Sequence, residues 1–147
     1  MSKSDEDGRP AVILLVENAG LLRVLSCVDL ADAGYRVVEA ADAEEALAIL
    51  KACSDVQLLI TDLVLPDVLD GLALAHRVRA GWPHMGIVIL SSRGPLGSRD
   101  VPSGIRFLEQ PLFPFVLVHE VRKLLNGSRS GGQPETGSQP LLEYDEA

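Results

Sequence analysis

An α/β fold, with a parallel sheet covered by helices on both faces, is expected from three observations. Apolar runs of strand length alternate with segments of helical period along most of the chain. The links between them are short, as in doubly wound sheets with right-handed crossovers. Three of the runs end in acidic or hydroxyl residues, Glu17-Asn18, Thr61-Asp62 and Ser91-Ser92. Strands of a parallel sheet that end this way bring those groups into one crevice at the carboxyl edge, where such folds bind ligands.

Each element follows from local pattern. Residues 1 to 10, MSKSDEDGRP, read as a polar, acidic leader closed by Pro10. Ala11 to Val16 is uninterrupted apolar sequence of strand length, which suits a strand buried on both faces. Leu21, Leu25 and Val28 then recur at helical spacing up to Gly34, whose permissive backbone suits a helix stop. A strand over Tyr35 to Glu39 is followed by Asp42 and, three residues on, Glu45, the spacing of an N-terminal capping box. The helix it opens packs through Ala43, Ala46, Leu47 and Leu50. Leu58 to Thr61 makes a third strand ending at Asp62, and Gly71 to Gly81 a helix with Leu74 and Val78 inward. Ile87 to Leu90 is the fourth strand. The segment after it, RGPLGSRDVPSG, is rich in Gly and Pro, so the helix due there should be short or absent. Phe107 to Glu109 is a short fifth strand, and Leu112 to Leu125 a final helix. From Gly127 onward the composition is that of a flexible linker, and the terminal residues 141 to 147, LLEYDEA, restore apolar side chains and read as a tail with a docking segment.

Composition narrows the function. With 147 residues, 47% of them hydrophobic, the chain can bury one core of ordinary domain size, over about residues 11 to 126. A net charge of -8 and no basic cluster argue against nucleic-acid binding and for protein partners. Cys27 and Cys53 stand alone in helical patterns, form no CxxC and read as reduced, largely buried thiols. The N-terminus has no apolar signal region, and no run approaches the roughly 18 apolar residues of a membrane span. A soluble, cytoplasmic protein is expected.

Glu17 and Asp62 should end neighbouring strands, so their carboxylates converge. Like charges that close raise a pKa unless a cation intervenes, and hard oxygen donors of this kind suit Mg²⁺. Either acid alone would be an ordinary solvated loop residue. The functional reading gains weight because Ser91 ends the next strand and Gln110-Pro111 follows the fifth at the same edge.

The segments ILLVEN, LLITDLVLP, VILSS and RFLEQP, in this order and spacing, resemble the receiver domain of bacterial two-component response regulators. The resemblance covers about residues 11 to 126. It implies a five-stranded doubly wound sheet of strand order 2-1-3-4-5. It also implies that Asp62 accepts a phosphoryl group from a phosphohistidine on a sensor histidine kinase. Glu17 matches an acidic position that supports Mg²⁺ largely through water, and the Val64 backbone carbonyl matches another metal ligand. Ser91 matches the hydroxyl that binds the phosphoryl group, and Phe107 the aromatic switch position. Pro111 falls where the family carries a cis peptide bond.

The chain departs from the family at four points. Asn18 stands where the family has a metal-ligating Asp, which implies weakened Mg²⁺ binding. Gln110 stands where the family has a Lys, and a neutral hydrogen bond falls short of a charge-assisted one by on the order of 1 to 2 kcal/mol. Since reversing a 1:99 equilibrium takes about 5.5 kcal/mol, that loss blunts a switch without abolishing it. The loop LPDVLDG is one residue longer than usual, and an eroded fourth helix removes part of the reporting surface.

The remaining candidates have structural readings. His76, His84 and His119 have no partner at metal spacing and read as surface residues, and Trp82 as a packing anchor. On the final helix Phe113, Leu117, Val121 and Leu124 form one stripe, while Phe115, Val118 and Leu125 form a second that one sheet face cannot cover. A homodimer through this helix and the adjoining strand is therefore expected, with Phe113, Phe115, Val118 and Leu125 on its face. Three function classes remain. A single-domain response regulator would take a phosphoryl group at Asp62 and signal, or drain phosphate, through protein contacts. A pseudo-receiver would act as a phosphorylation-independent binding and dimerisation module. A nucleotide-binding enzyme would need a Gly-rich first loop, where the chain has Asn18-Ala19-Gly20, so a non-enzymatic role is expected.

Overall fold

The computed structural model describes residues 10–18, 20–66, 70–91, 104–109 and 114–130, of which 21, 22, 114 and 127–130 are described in backbone alone. Nine elements occupy them: β1 (Val12–Val16), α1 (Gly20–Asp32), β2 (Arg36–Ala40), α2 (Ala43–Ala52), β3 (Val56–Asp62), α3 (Gly71–Gly81), β4 (Gly86–Ser91), β5 (Ile105–Glu109) and α4 (Pro114–Ser130). The strands are all parallel in the order β2-β1-β3-β4-β5. This is the doubly wound architecture the resemblance implied. The helix-eroding segment at 92–103 lies outside the described residues.

Alternation along the central strands distributes side chains to two cores. From β1, Val12, Leu14 and Val16 join α2 and α3 in one cluster, and Ile13 and Leu15 join α1 and α4 in the other. Every residue of β1 is buried, because strands flank it on both sides and helices cover both faces. The sheet-edge strands β2 and β5 are only partly buried.

Helix boundaries fall where local chemistry places them. The Asp42 side chain accepts from the Glu45 amide at 2.8 Å, and Glu45 reaches back to the Ala41 amide at 2.9 Å, so the expected capping box forms with its return bond one residue early. Asp70 caps α3 through the Ala73 amide at 2.8 Å. After α1 the chain turns at Gly34, with φ at 101°, a left-handed conformation that favours glycine. The Tyr35 amide then returns to the Leu30 carbonyl at 3.2 Å and closes the helix. Trp82 caps α3 and packs on the α2–α3 cluster, as expected of an anchor.

Four expectations need correction. The inner face of α1 is not the Leu25 and Val28 stripe: both side chains are 50% exposed, and the helix instead buries Leu30 with Cys27 and Ala33 packed beside it. Arg23 accompanies this orientation, with its guanidinium facing Glu39 of β2 at 3.2 Å and donating to the Glu17 carbonyl at 3.2 Å. On α4, Val118 and Leu125 pack on the α1–α4 cluster, because α1 lies alongside and covers them. Of the expected second stripe only Phe115 is exposed among the described residues, and Phe113 lies outside them. The same helix runs to Ser130, past Gly127, so helical backbone extends into the linker-like sequence. Cys27 and Cys53 are free thiols, half-buried rather than enclosed.

Candidate functional site

Strand register assembles the crevice. Val16 of β1 lies opposite Thr61 of β3, so the residues that follow, Glu17 and Asp62, emerge side by side at the carboxyl edge. On the other side of β3, Asp62 lies opposite Leu90, and the Leu63 amide donates to the Leu90 carbonyl at 2.7 Å. That pairing brings Ser91 to the same edge. Thr61, Ser91 and Glu17 are buried, and Asp62 is half-buried. The Thr61 hydroxyl donates to the Asp62 carbonyl at 2.9 Å, which pins the main chain beneath the carboxyl.

The electrostatics are those of a crowded acid pair. Burial pushes the Asp62 carboxyl above its ordinary range, while the Leu63 backbone and a hydrogen bond with the Glu17 side chain act the other way. Two carboxyls hydrogen-bond only when one of them keeps a proton. A hard dication would replace that proton, and Mg²⁺ is held by one or two carboxylates with waters completing its shell. The donors at hand fit such an ion: the Glu17 and Asp62 carboxyls, the Val64 carbonyl on the adjoining exposed turn, and the exposed, neutral Asn18. Among the described residues no group of three or more His, Cys, Asp and Glu is placed to hold a metal. The site therefore carries less negative charge than a three-acid pocket would.

Phe107 of β5 lies opposite Ile89 and packs, partly buried, on the α2–α3 cluster. Gln110 and Pro111 lie outside the described residues, as does Ser92. The structure thus brings Glu17, Asn18, Asp62 and Ser91 to three adjoining strand ends. It adds two residues that sequence reasoning missed. Arg23 donates to the carbonyl of Glu17, and the signal was a lone cation in the otherwise apolar stretch GLLRVL. Gly71 donates its amide to the Leu63 carbonyl at 2.7 Å, directly behind Asp62.

Comparison with known proteins points the same way. The family model for the response regulator receiver domain matches residues 13–100. The chain is 33% identical over 109 residues to the transcriptional regulatory protein GlrR of Escherichia coli, covering 74% of this chain and 23% of that protein. Among solved structures it resembles the receiver domain of the hybrid histidine kinase CckA, at 30% identity and a TM-score of 0.67, covering 78% of this chain and 98% of that one. A response regulator receiver protein from Sinorhizobium medicae aligns with a TM-score of 0.74 at 29% identity, over 80% of this chain and 96% of the other. The chain spans about a quarter of the length of the curated regulator it matches, at 23%.

Proposed function

The chain belongs to the response regulator receiver domain family, and from that premise we propose that it accepts a phosphoryl group at Asp62 from a sensor histidine kinase. A carboxylate oxygen of Asp62 attacks the phosphorus of a phosphohistidine. The P–O bond of an acyl phosphate forms as the P–N bond breaks, and its electron pair leaves with the imidazole. Water later cleaves the acyl phosphate to inorganic phosphate and free Asp62. Mg²⁺, held by Glu17, Asp62, the Val64 carbonyl and weakly by Asn18, would neutralise charge on the transferring phosphoryl oxygens. Ser91 would donate a hydrogen bond to the phosphoryl group, with Phe107 reporting its movement and Gln110 standing in weakly for a cation. Pro111 would set the loop that carries Gln110.

The observation that carries this reading is the hydrogen-bonded pair of Glu17 and Asp62 at adjoining strand ends beside buried Ser91. A signalling role fits this reading, and no described helix is long and apolar enough to cross a membrane. Incubation with a small phosphodonor and Mg²⁺ should add one phosphoryl mass that is absent in Asp62→Asn. No adduct, even with a competent kinase, sinks the proposal. Asn18→Asp and Gln110→Lys should each accelerate labelling.

The second reading, a phosphorylation-independent binding and dimerisation module, is favoured by the uncharged residues at 18 and 110. A homodimer through α4 and β5 would use Phe115, which is 69% exposed. Sedimentation as a monomer at tens of micromolar would count against that dimer.

A further inference from the structure

The start of α3 rests on the peptide unit that carries the phosphoacceptor. Gly71 is buried, and its amide donates to the Leu63 carbonyl at 2.7 Å. A Cβ at this position would lie 2.1 Å from the Asp62 carbonyl oxygen, 2.8 Å from the Leu63 Cα and 2.9 Å from the Asp62 carbonyl carbon. All three are backbone atoms, so no side chain can swing aside to make room. The same peptide unit is held from the other directions, by the Thr61 hydroxyl on the Asp62 carbonyl at 2.9 Å and by the Leu63 amide on Leu90 of β4 at 2.7 Å. Asp70 fixes the helix that presses on it, capping the Ala73 amide at 2.8 Å.

We infer that Gly71 is a positioning residue for phosphoryl acceptance: by lacking a side chain it lets α3 seat against the Asp62–Leu63 peptide, fixing the Asp62 carboxylate and the chain leading to the Val64 carbonyl. Any larger residue pushes that peptide toward the crevice. The effect is specific to the acceptor, because the displaced atoms belong to Asp62 itself and to the segment between it and Val64. The inference rests on Asp62 being the phosphoacceptor.

Gly86 supplies the control. A Cβ there would lie 2.6 Å from Leu58 Cδ1, a comparable clash in the core, but with a side-chain atom and at the opposite end of the sheet from Asp62. Labelling by a small phosphodonor is measured at saturating Mg²⁺ for wild type, Gly71→Ala and Gly86→Ala, together with thermal midpoints and the Mg²⁺ dependence of the Leu63 and Val64 amide resonances. A misplacement approaching 1 Å costs on the order of 100-fold in rate. Gly71→Ala should therefore label roughly 10- to 100-fold more slowly and require more Mg²⁺ for half its amide shift, whereas Gly86→Ala labels at the wild-type rate. Equal rates for wild type and a folded Gly71→Ala overturn the inference while leaving the phosphoacceptor reading intact. An unlabelled wild type sinks both. If Gly71→Ala does not fold, Asp70→Ala loosens the first turn of α3 without adding bulk: slower labelling supports the inference, and an unchanged rate overturns it.

Discussion

Asp62 shows what a carboxylate at a crowded strand end costs a fold. It sits half-buried against a buried Glu17, and burial raises its affinity for a proton above the ordinary value of 3.8. For a carboxyl shifted in this direction, the stability carried by the protonated form is complete below the unfolded value and is lost as pH rises through the folded one. Asp62→Asn should accordingly raise the thermal midpoint of the metal-free protein at pH 7 by roughly 3 to 6 °C. That gain should shrink as pH falls toward the unfolded value, and calorimetry across this range checks it. Cys27 makes the opposite point about chemistry. Burial, then the charge and hydrogen bond of Glu39, push its thiol from 9.0 up to about 11, with Arg23 opposing. Thiolate is the reactive form, so alkylation of Cys27 at pH 8 should run well below the rate of an unfolded control. The same shift makes stability fall as pH rises between about 9 and 11, because the folded state holds the proton longer.

Helices record where pattern reading succeeds and where it fails. The cap at Asp42 and the span of α3 were legible because they depend on neighbours in sequence: Asp42 with Glu45, and Asp70 ahead of Gly71. The face of α1 was not, because Leu25 and Val28 fit a helical stripe as well as Cys27 and Leu30 do. The choice between them is made by packing against strands and α4 distant in sequence, where Leu30, Cys27 and Ala33 find a cluster to join, contacts that no local window contains. A second long-range contact is equally silent in the sequence. Glu120 of α4 is 2% exposed and pairs with Arg106 of β5 at 3.0 Å and with Lys123 at 3.6 Å. Arg106 is partly exposed and can rehydrate, whereas Glu120 cannot, so the two truncations should differ. Arg106→Gln should cost about 1 to 3 kcal/mol, and Glu120→Gln less than half as much, in urea unfolding.

At the scale of the molecule, the strand order was legible only through the family resemblance, whereas the crevice was readable because a parallel sheet gathers its carboxyl ends at one edge, and the ends here carry Glu17, Asp62 and Ser91. The exposed apolar face was not readable, since it depends on the rotation of α1. That rotation leaves Val24, Leu25 and Val28 at 55%, 50% and 50% exposure on the helix that begins two residues after Asn18. An exposed apolar arc of this kind is a candidate contact surface for the proposed kinase. Leu25→Glu with Val28→Glu should slow phosphotransfer from a cognate kinase at least tenfold and leave labelling by a small phosphodonor unchanged. Loss of both activities would point to misfolding, and loss of neither would remove α1 from the docking surface.

The two outermost strands bear on how copies of this chain meet. β2 exposes Arg36 and Glu39, and β5 exposes Arg106 and Glu109. A strand arriving from another molecule would have to pair with main chain flanked by fixed charges of both signs and bury them in a continuous sheet. Edge-to-edge growth into fibres is thereby discouraged at both ends of the sheet. A dimer of the kind proposed through α4 and β5 would therefore have to meet side chain to side chain rather than by extending the sheet.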